Sequence, residues 1–134
     1  MIDVEASSAL DVDVAPLIDL VVRVCAHLGL ARASVGLMIV GPDEMTTING
    51  DHRSKPEPTD VLAFPIDGPD ALDGWPEDGP APELGDIVIC PAAAQEALGT
   101  LAVHGLLHLL GYDHETDGGQ MLALQDEIMA TVAA

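Results

Sequence analysis

His104-Gly105-Leu106-Leu107-His108-Leu109-Leu110-Gly111-Tyr112-Asp113-His114 is the stretch around which the chain is organised. Residues four apart on an α-helix lie about 40° apart around the axis and about 6 Å along it. The spacing therefore predicts that His104 and His108 project side by side from one helix, as two imidazoles binding one ion would. Gly111 stands where a helix needs a left-handed residue to stop. Tyr112 and Asp113 then carry the chain to His114, a third imidazole on a segment that can fold over the first two. Three neutral nitrogens without a fourth protein ligand leave a coordination position open to water, the pattern of a catalytic zinc site and not of a structural one.

A lone histidine on an apolar helix is usually a core residue with a satisfied ring. Here three of the chain's five histidines fall at ligand spacing around a helix-ending glycine, which chance rarely supplies. Gly105 follows His104, so the stretch lacks the glutamate that serves zinc peptidases as general base in His-Glu-x-x-His. The spacing predicts a metal site and excludes that peptidase chemistry. No serine lies near the histidines in sequence, and neither cysteine has an evident partner, so a nucleophilic mechanism is not expected.

Working outward, Asn49 and Arg53 precede the block Pro58-Thr59-Asp60-Val61-Leu62-Ala63-Phe64-Pro65, and Leu84-Gly85-Asp86-Ile87-Val88-Ile89-Cys90 follows it. These two blocks, the histidine stretch and Glu127 resemble, in the same order, the signature of the YbeY family, bacterial metal-dependent endoribonucleases that act as ribosomal RNA maturation factors. The likeness runs from about residue 40 to the C-terminus. It implies a metal-dependent endoribonuclease specific for single strands, acting in ribosomal RNA maturation and ribosome quality control. One divalent ion, zinc by preference, would be held by His104, His108 and His114. The implied partners are single-stranded or ribosomal RNA, with ribosomal proteins or an assembly GTPase as further candidates, and neither DNA nor a membrane.

RNA hydrolysis needs a nucleophile at neutral pH and countercharge for the transition state. The planar fork of Arg53 matches phosphate oxygens and is the candidate for that countercharge; a salt bridge to Asp51 or Asp60 is its structural alternative. Asn49, one helical turn earlier, could orient Arg53 or the substrate, and Lys55 could contact phosphate. Asp113 adjoins a ligand and could orient a metal-bound histidine from behind, while Glu115 could accept a proton through water. Asp86 is expected to support structure or the ligand surroundings at a strand end. Two other readings remain open: a zinc hydrolase of a small molecule, and a ribosome-assembly binding module with a structural metal.

Charge is the awkward fact. Twenty-three acids against four lysines and arginines give a formal net charge of -19, whereas nucleic-acid binding normally shows as a basic patch. The simplest account is a solvated acidic surface. Two of the four basic residues, Arg53 and Lys55, lie in the Asn49–Pro65 block, so what positive charge exists is focused there. Cys25 and Cys90 share no metal-type spacing and fit a reducing compartment. With no basic-then-apolar leader and no apolar run of membrane-spanning length, a cytoplasmic protein is expected.

Length allows one core and not two. Hydrophobic residues make up 49% and aromatic residues 2% of the chain, so aliphatic side chains must build that core. The expected fold is a single α/β (α+β) domain over residues 1–134, a small mixed sheet of about four strands with helices packed around a central histidine-bearing helix. Strands are expected at Ile2–Glu5, Val35–Val40, Thr59–Phe64 and Ile87–Ile89, the last central because it is apolar throughout. Helices are expected from Pro16 to Gly29, from Pro42 fading near Gly50, from Pro91 toward the histidines, and from Met121 to Val132 with Asp117 as its cap. His27 should face solvent near a helix end. Proline, glycine and acids dominate residues 67–82, which read as a mobile loop, with Trp75 docked on the body. Compared with the family, Ala92–Val103 compresses two segments, so a true deletion or an unrecorded turn near Gly99-Thr100 is expected, the second by preference.

Overall fold

A computed structural model describes residues 1–53, 59–72, 74–113 and 117–132, without the side chains of His52 and Arg53. Strand β1 (Ile2–Ser8) alternates half-buried and exposed residues and pairs in parallel with β2 (Ala33–Ile39), Ile2 opposite Ala33 through Ser8 opposite Ile39. Parallel pairing needs a crossover, and α1 (Ala15–His27) provides it, burying Leu17, Leu20, Val21, Val24 and Cys25. Gly29, at φ 87°, ends that crossover as expected. Strand β4 (Glu83–Ile89) pairs in parallel with β2 and antiparallel with β3 (Val61–Pro65), giving the order β1-β2-β4-β3. The apolar run at Ile87–Ile89 is central, as its lack of a polar face predicted.

Side chains alternate across a strand, and the core divides accordingly. Val35, Leu37, Ile39, Ile87 and Ile89 join α1 and α4 (Leu98–Leu109) in the main cluster, with Met121 and Ile128 of α5 (Gln120–Thr131). Leu62, Val88 and Cys90 face the other way and are covered by Met45 of α2 (Pro42–Arg53). Gly105 explains how closely α4 can lie on the sheet: a Cβ there would sit 2.7 Å from Ile87 Cγ2. The small residue that rules out a peptidase motif thus seats the histidine helix.

Several expectations are corrected. Helix α2 does not fade at Gly50 but runs to Arg53, because Met45 and Asn49, one turn apart, are both buried and packing outweighs the ~1 kcal/mol cost of a helical glycine. The helix expected from Pro91 is a single 3-10 turn, Pro91–Ala93, followed by an extended Ala94. One turn is too short to repay helix nucleation without a buried face, and none of its residues is buried. Gly99 and Thr100 lie in the first turn of α4.

Residues 67–82 hold more structure than their composition suggests. Helix α3 (Gly68–Ala71) buries Gly68 and Ala71, and the Asp67 carboxylate accepts the Glu83 amide at 2.9 Å. Further along, the Arg32 guanidinium donates to the carbonyls of Gly79 and Pro76 at 2.9 and 3.0 Å. Trp75 is half-buried, and its Nε1 donates to Pro80 of the same loop at 3.2 Å. His27 stands near the end of α1 and meets Glu127 of α5 at 3.3 Å, so Glu127 links the two helices through an exposed pair.

Candidate metal centre and cleft

Helix α4 places the first two predicted ligands together. The Nε2 atoms of His104 and His108 are 3.2 Å apart, and their ring centroids are 4.7 Å apart. The helix ends as its sequence demands. Gly111 adopts φ 100°, its amide donates to His108, and the Tyr112 amide donates to Leu107, both at 3.1 Å. These two bonds make a Schellman motif, satisfying carbonyls that the last turn would otherwise leave open. The same turn aims the Tyr112 carbonyl at His108 Nδ1, 3.0 Å away. A carbonyl only accepts, so Nδ1 of His108 carries a hydrogen.

His104 is held from the other side. Its Nδ1 lies 2.8 Å from Oε1 of Gln125, a side chain on α5 that is only 8% exposed. The two Nδ1 atoms thus meet Tyr112 and Gln125, and the exposed Asp113 accepts the Asp117 amide at its backbone carbonyl. A signal for Gln125 was present: Met121, Gln125 and Ile128 share the buried stripe of α5, and an amide on an apolar stripe calls for a buried partner.

A cleft of about 580 Å³ opens beside His104. Its walls are the approach to β3 at Thr59 and Asp60, the link after the 3-10 turn at Gln95 and Glu96, and Leu122 and Gln125 of α5. Neither lysine nor arginine is among the described residues lining it. His114, Lys55 and Glu115 lie outside the described residues, as does the side chain of Arg53, the last residue of α2. Asn49 is 2% exposed, so its amide is placed to act on neighbouring groups. Asp86 lies within β4, not at its end; its carboxylate covers Gly36, on the sheet face opposite Ile87 and α4. That placement removes it from the ligand surroundings. Asp117, by contrast, caps α5 as expected, accepting the amides of Gly119 and Met121 at 2.8 and 2.9 Å.

The donor set fits a divalent ion. Two nitrogens at about 2.0–2.1 Å on a tetrahedral ion are roughly 3.3 Å apart, close to the 3.2 Å observed. Among the described residues, no group of three or more histidine, cysteine or acidic side chains is placed to hold one; the third predicted ligand, His114, is outside them.

Residues 3–133 match the family described as Endoribonuclease YbeY. The chain belongs to the YbeY family. Relatives of that name include a protein of Acidothermus cellulolyticus, 37% identical over 96% of this chain and 88% of its own length. Another, from Mycolicibacterium paratuberculosis, is 38% identical over 96% and 81%. A third, from Symbiobacterium thermophilum, is 43% identical over 78% and 74%. The solution structure of TM1509 from Thermotoga maritima superposes with a TM-score of 0.61, covering 98% of this chain and 89% of that one at 24% identity. It shares the fold. YbeY membership and the four-stranded mixed sheet both agree with the expectations from sequence.

Proposed function

We infer that this chain is an endoribonuclease, a hydrolase of RNA phosphodiester bonds that acts in ribosomal RNA maturation, with single-stranded RNA as substrate. Family membership supports the activity. The observation that carries the site assignment is the convergence of His104 and His108 Nε2 beside an open cleft. His104, His108 and His114 would hold one divalent ion, zinc by preference. When bound, such an ion supplies Lewis acidity and activation of water at neutral pH.

The chain's own residues have the remaining tasks. Tyr112 and Gln125 hold the two imidazoles in position. Asp60 and Glu96 make the described cleft wall acidic and unfavourable for a polyanion, so phosphate must be met by charge supplied from the Arg53–Lys55 segment. Arg53 is assigned to charge that develops in the transition state, Lys55 to phosphate contact, and Asn49 to positioning Arg53. Asp113 is the candidate for orienting a metal-bound histidine, and Glu115 for accepting a proton through water. Ribosomal proteins or an assembly GTPase would supply affinity that the acidic surface withholds. Buried free cysteines at 25 and 90 and the lack of any described helix long and apolar enough to cross a membrane are compatible with the cytoplasm.

Single-stranded RNA cleavage by zinc-replete wild type beside His108→Ala tests the reading. Loss of cleavage with the fold retained is expected. A His108→Ala protein that cleaves at the wild-type rate would remove the histidines from the mechanism. Loss of the fold on stripping the metal would favour a structural ion instead.

A further inference from the structure

The described walls of the cleft beside His104 suit a nucleobase better than a phosphate. Asp60 and Glu96 line it together with the neutral Thr59, Gln95 and Leu122, and an ionised carboxylate only accepts hydrogen bonds. Of the two acids, Asp60 is the one held in place. Its backbone carbonyl accepts the Cys90 amide and its Oδ1 accepts the Val61 amide, both at 2.8 Å. It is half-buried, whereas Glu96 is exposed. A carboxylate has lone pairs for about four hydrogen bonds, so the bond to Val61 leaves acceptor capacity on both oxygens of Asp60. Leu122 is 44% exposed. It stands off the buried stripe that Met121, Gln125 and Ile128 form on α5 and brings an apolar side chain to the same cleft.

Single-stranded RNA exposes its bases, whose faces pack on apolar side chains and whose Watson–Crick edges can be read. Those edges differ. Guanine presents two adjacent donors, N1–H and N2–H, which match the two oxygens of a carboxylate. Adenine and cytosine present one amino group beside an acceptor. Uracil presents one N–H between two carbonyls, which a carboxylate repels. We propose that the cleft is a nucleobase subsite that favours guanine, with Asp60 accepting from its donor edge and Leu122 covering its face. The acidic wall then meets a base and leaves the phosphates to the ion, Arg53 and Lys55. His104 shares the cleft, so cleavage falls at a fixed offset from the bound guanosine. This rests on the reading of the chain as an RNA hydrolase and adds a base preference to it.

The test uses full-length wild type, Asp60→Asn and Leu122→Ser with an all-uridine strand and with the same strand carrying one guanosine, adenosine or cytidine. Fragment lengths map cleavage by zinc-replete protein, and fluorescence anisotropy measures affinity with and without zinc. Wild type is expected to cut at one offset from the guanosine. It should favour that strand over all-uridine by about 5–150-fold in kcat/KM, the range of a bidentate contact to a base. Asp60→Asn puts a donor where one acceptor stood and should bring the ratio to one or below, whatever it does to the absolute rate. A residue that only braced β3 or paired with Arg53 would scale all strands alike. Leu122→Ser should weaken binding of the guanosine strand and keep the order of preference, because packing on a face does not read an edge. Equal kcat/KM on the guanosine and all-uridine strands in wild type would overturn the proposal. So would a ratio unchanged in Asp60→Asn, or wild-type affinity in Leu122→Ser. If wild type binds these strands without cutting them, the hydrolase reading fails, and the affinity ratio still decides the base preference. Leu122 is exposed, so an Asp60→Asn protein that fails to fold leaves the wild-type ratio and the Leu122→Ser affinities to decide.

Discussion

Gly68 of α3 lies directly against the backbone of Leu109, so that a Cβ on Gly68 would overlap the carbonyl that ends the histidine helix, with Leu84 O also only 2.9 Å away. The acidic segment after β3 is thereby wedged between β4 and the end of α4. Gly68→Ala forces backbone, not a flexible side chain, to move. Overpacking of this kind costs about 1–3 kcal/mol, and urea unfolding should show a lowered midpoint with an unchanged slope. An unchanged midpoint would mean that α3 shifts freely away from α4.

The Arg32 guanidinium holds the far part of that segment through the carbonyls of Pro76 and Gly79. Trp75, the chain's one tryptophan, reports on it. Residues 67–82 are expected to be the first cut by a nonspecific protease, and Arg32→Ala should raise both the cutting rate and acrylamide quenching of Trp75 fluorescence. Quenching identical to wild type would show that the loop is held by other contacts.

Burial pushes the Cys25 thiol up to about 12, from an ordinary 9.0. The folded state therefore keeps its proton where the unfolded chain has lost it. Stability contributed by this group is full below about pH 9 and falls as pH rises from 9 toward 12, with a slope of at most about 1.4 kcal/mol per unit. Urea unfolding between pH 8 and 10.5 should show that decline, and Cys25→Ala should reduce it. A slope unchanged by the substitution would assign the decline to other groups. Native Cys25 should also resist alkylation until urea exposes it.

With net charge of -19, RNA affinity must come from a small region. Lys55→Ala should weaken binding modestly and lower the salt slope by about one unit, as for a single phosphate contact. Arg53→Ala should depress turnover more than binding, because its charge is assigned to the transition state. Raising salt from a low value should first help, by screening long-range repulsion. Cleavage rate and affinity across a salt series decide these points; wild-type turnover in Arg53→Ala would refute its assigned role.

What the sequence determined on its own is what short-range geometry controls. His104 and His108 had to be neighbours because the helical repeat makes residues four apart neighbours, and Gly111 had to end the helix because only glycine takes a left-handed turn without cost. Alternation at Ile2–Glu5 and the apolar run at Ile87–Ile89 likewise gave strands and a central position. Only the tertiary structure decided what depends on a distant partner. Helix α2 outlasts Gly50 because Met45 and Asn49 are buried, and the alanines after Pro91 stay in one turn because none of them is fully buried. Asp86 turns away from the site because Ile87 must face α4. Gln125 stands 21 residues beyond His104. Its role arises only where α5 packs on α4, because a hydrogen bond between helices depends on where the core places them and not on spacing along the chain.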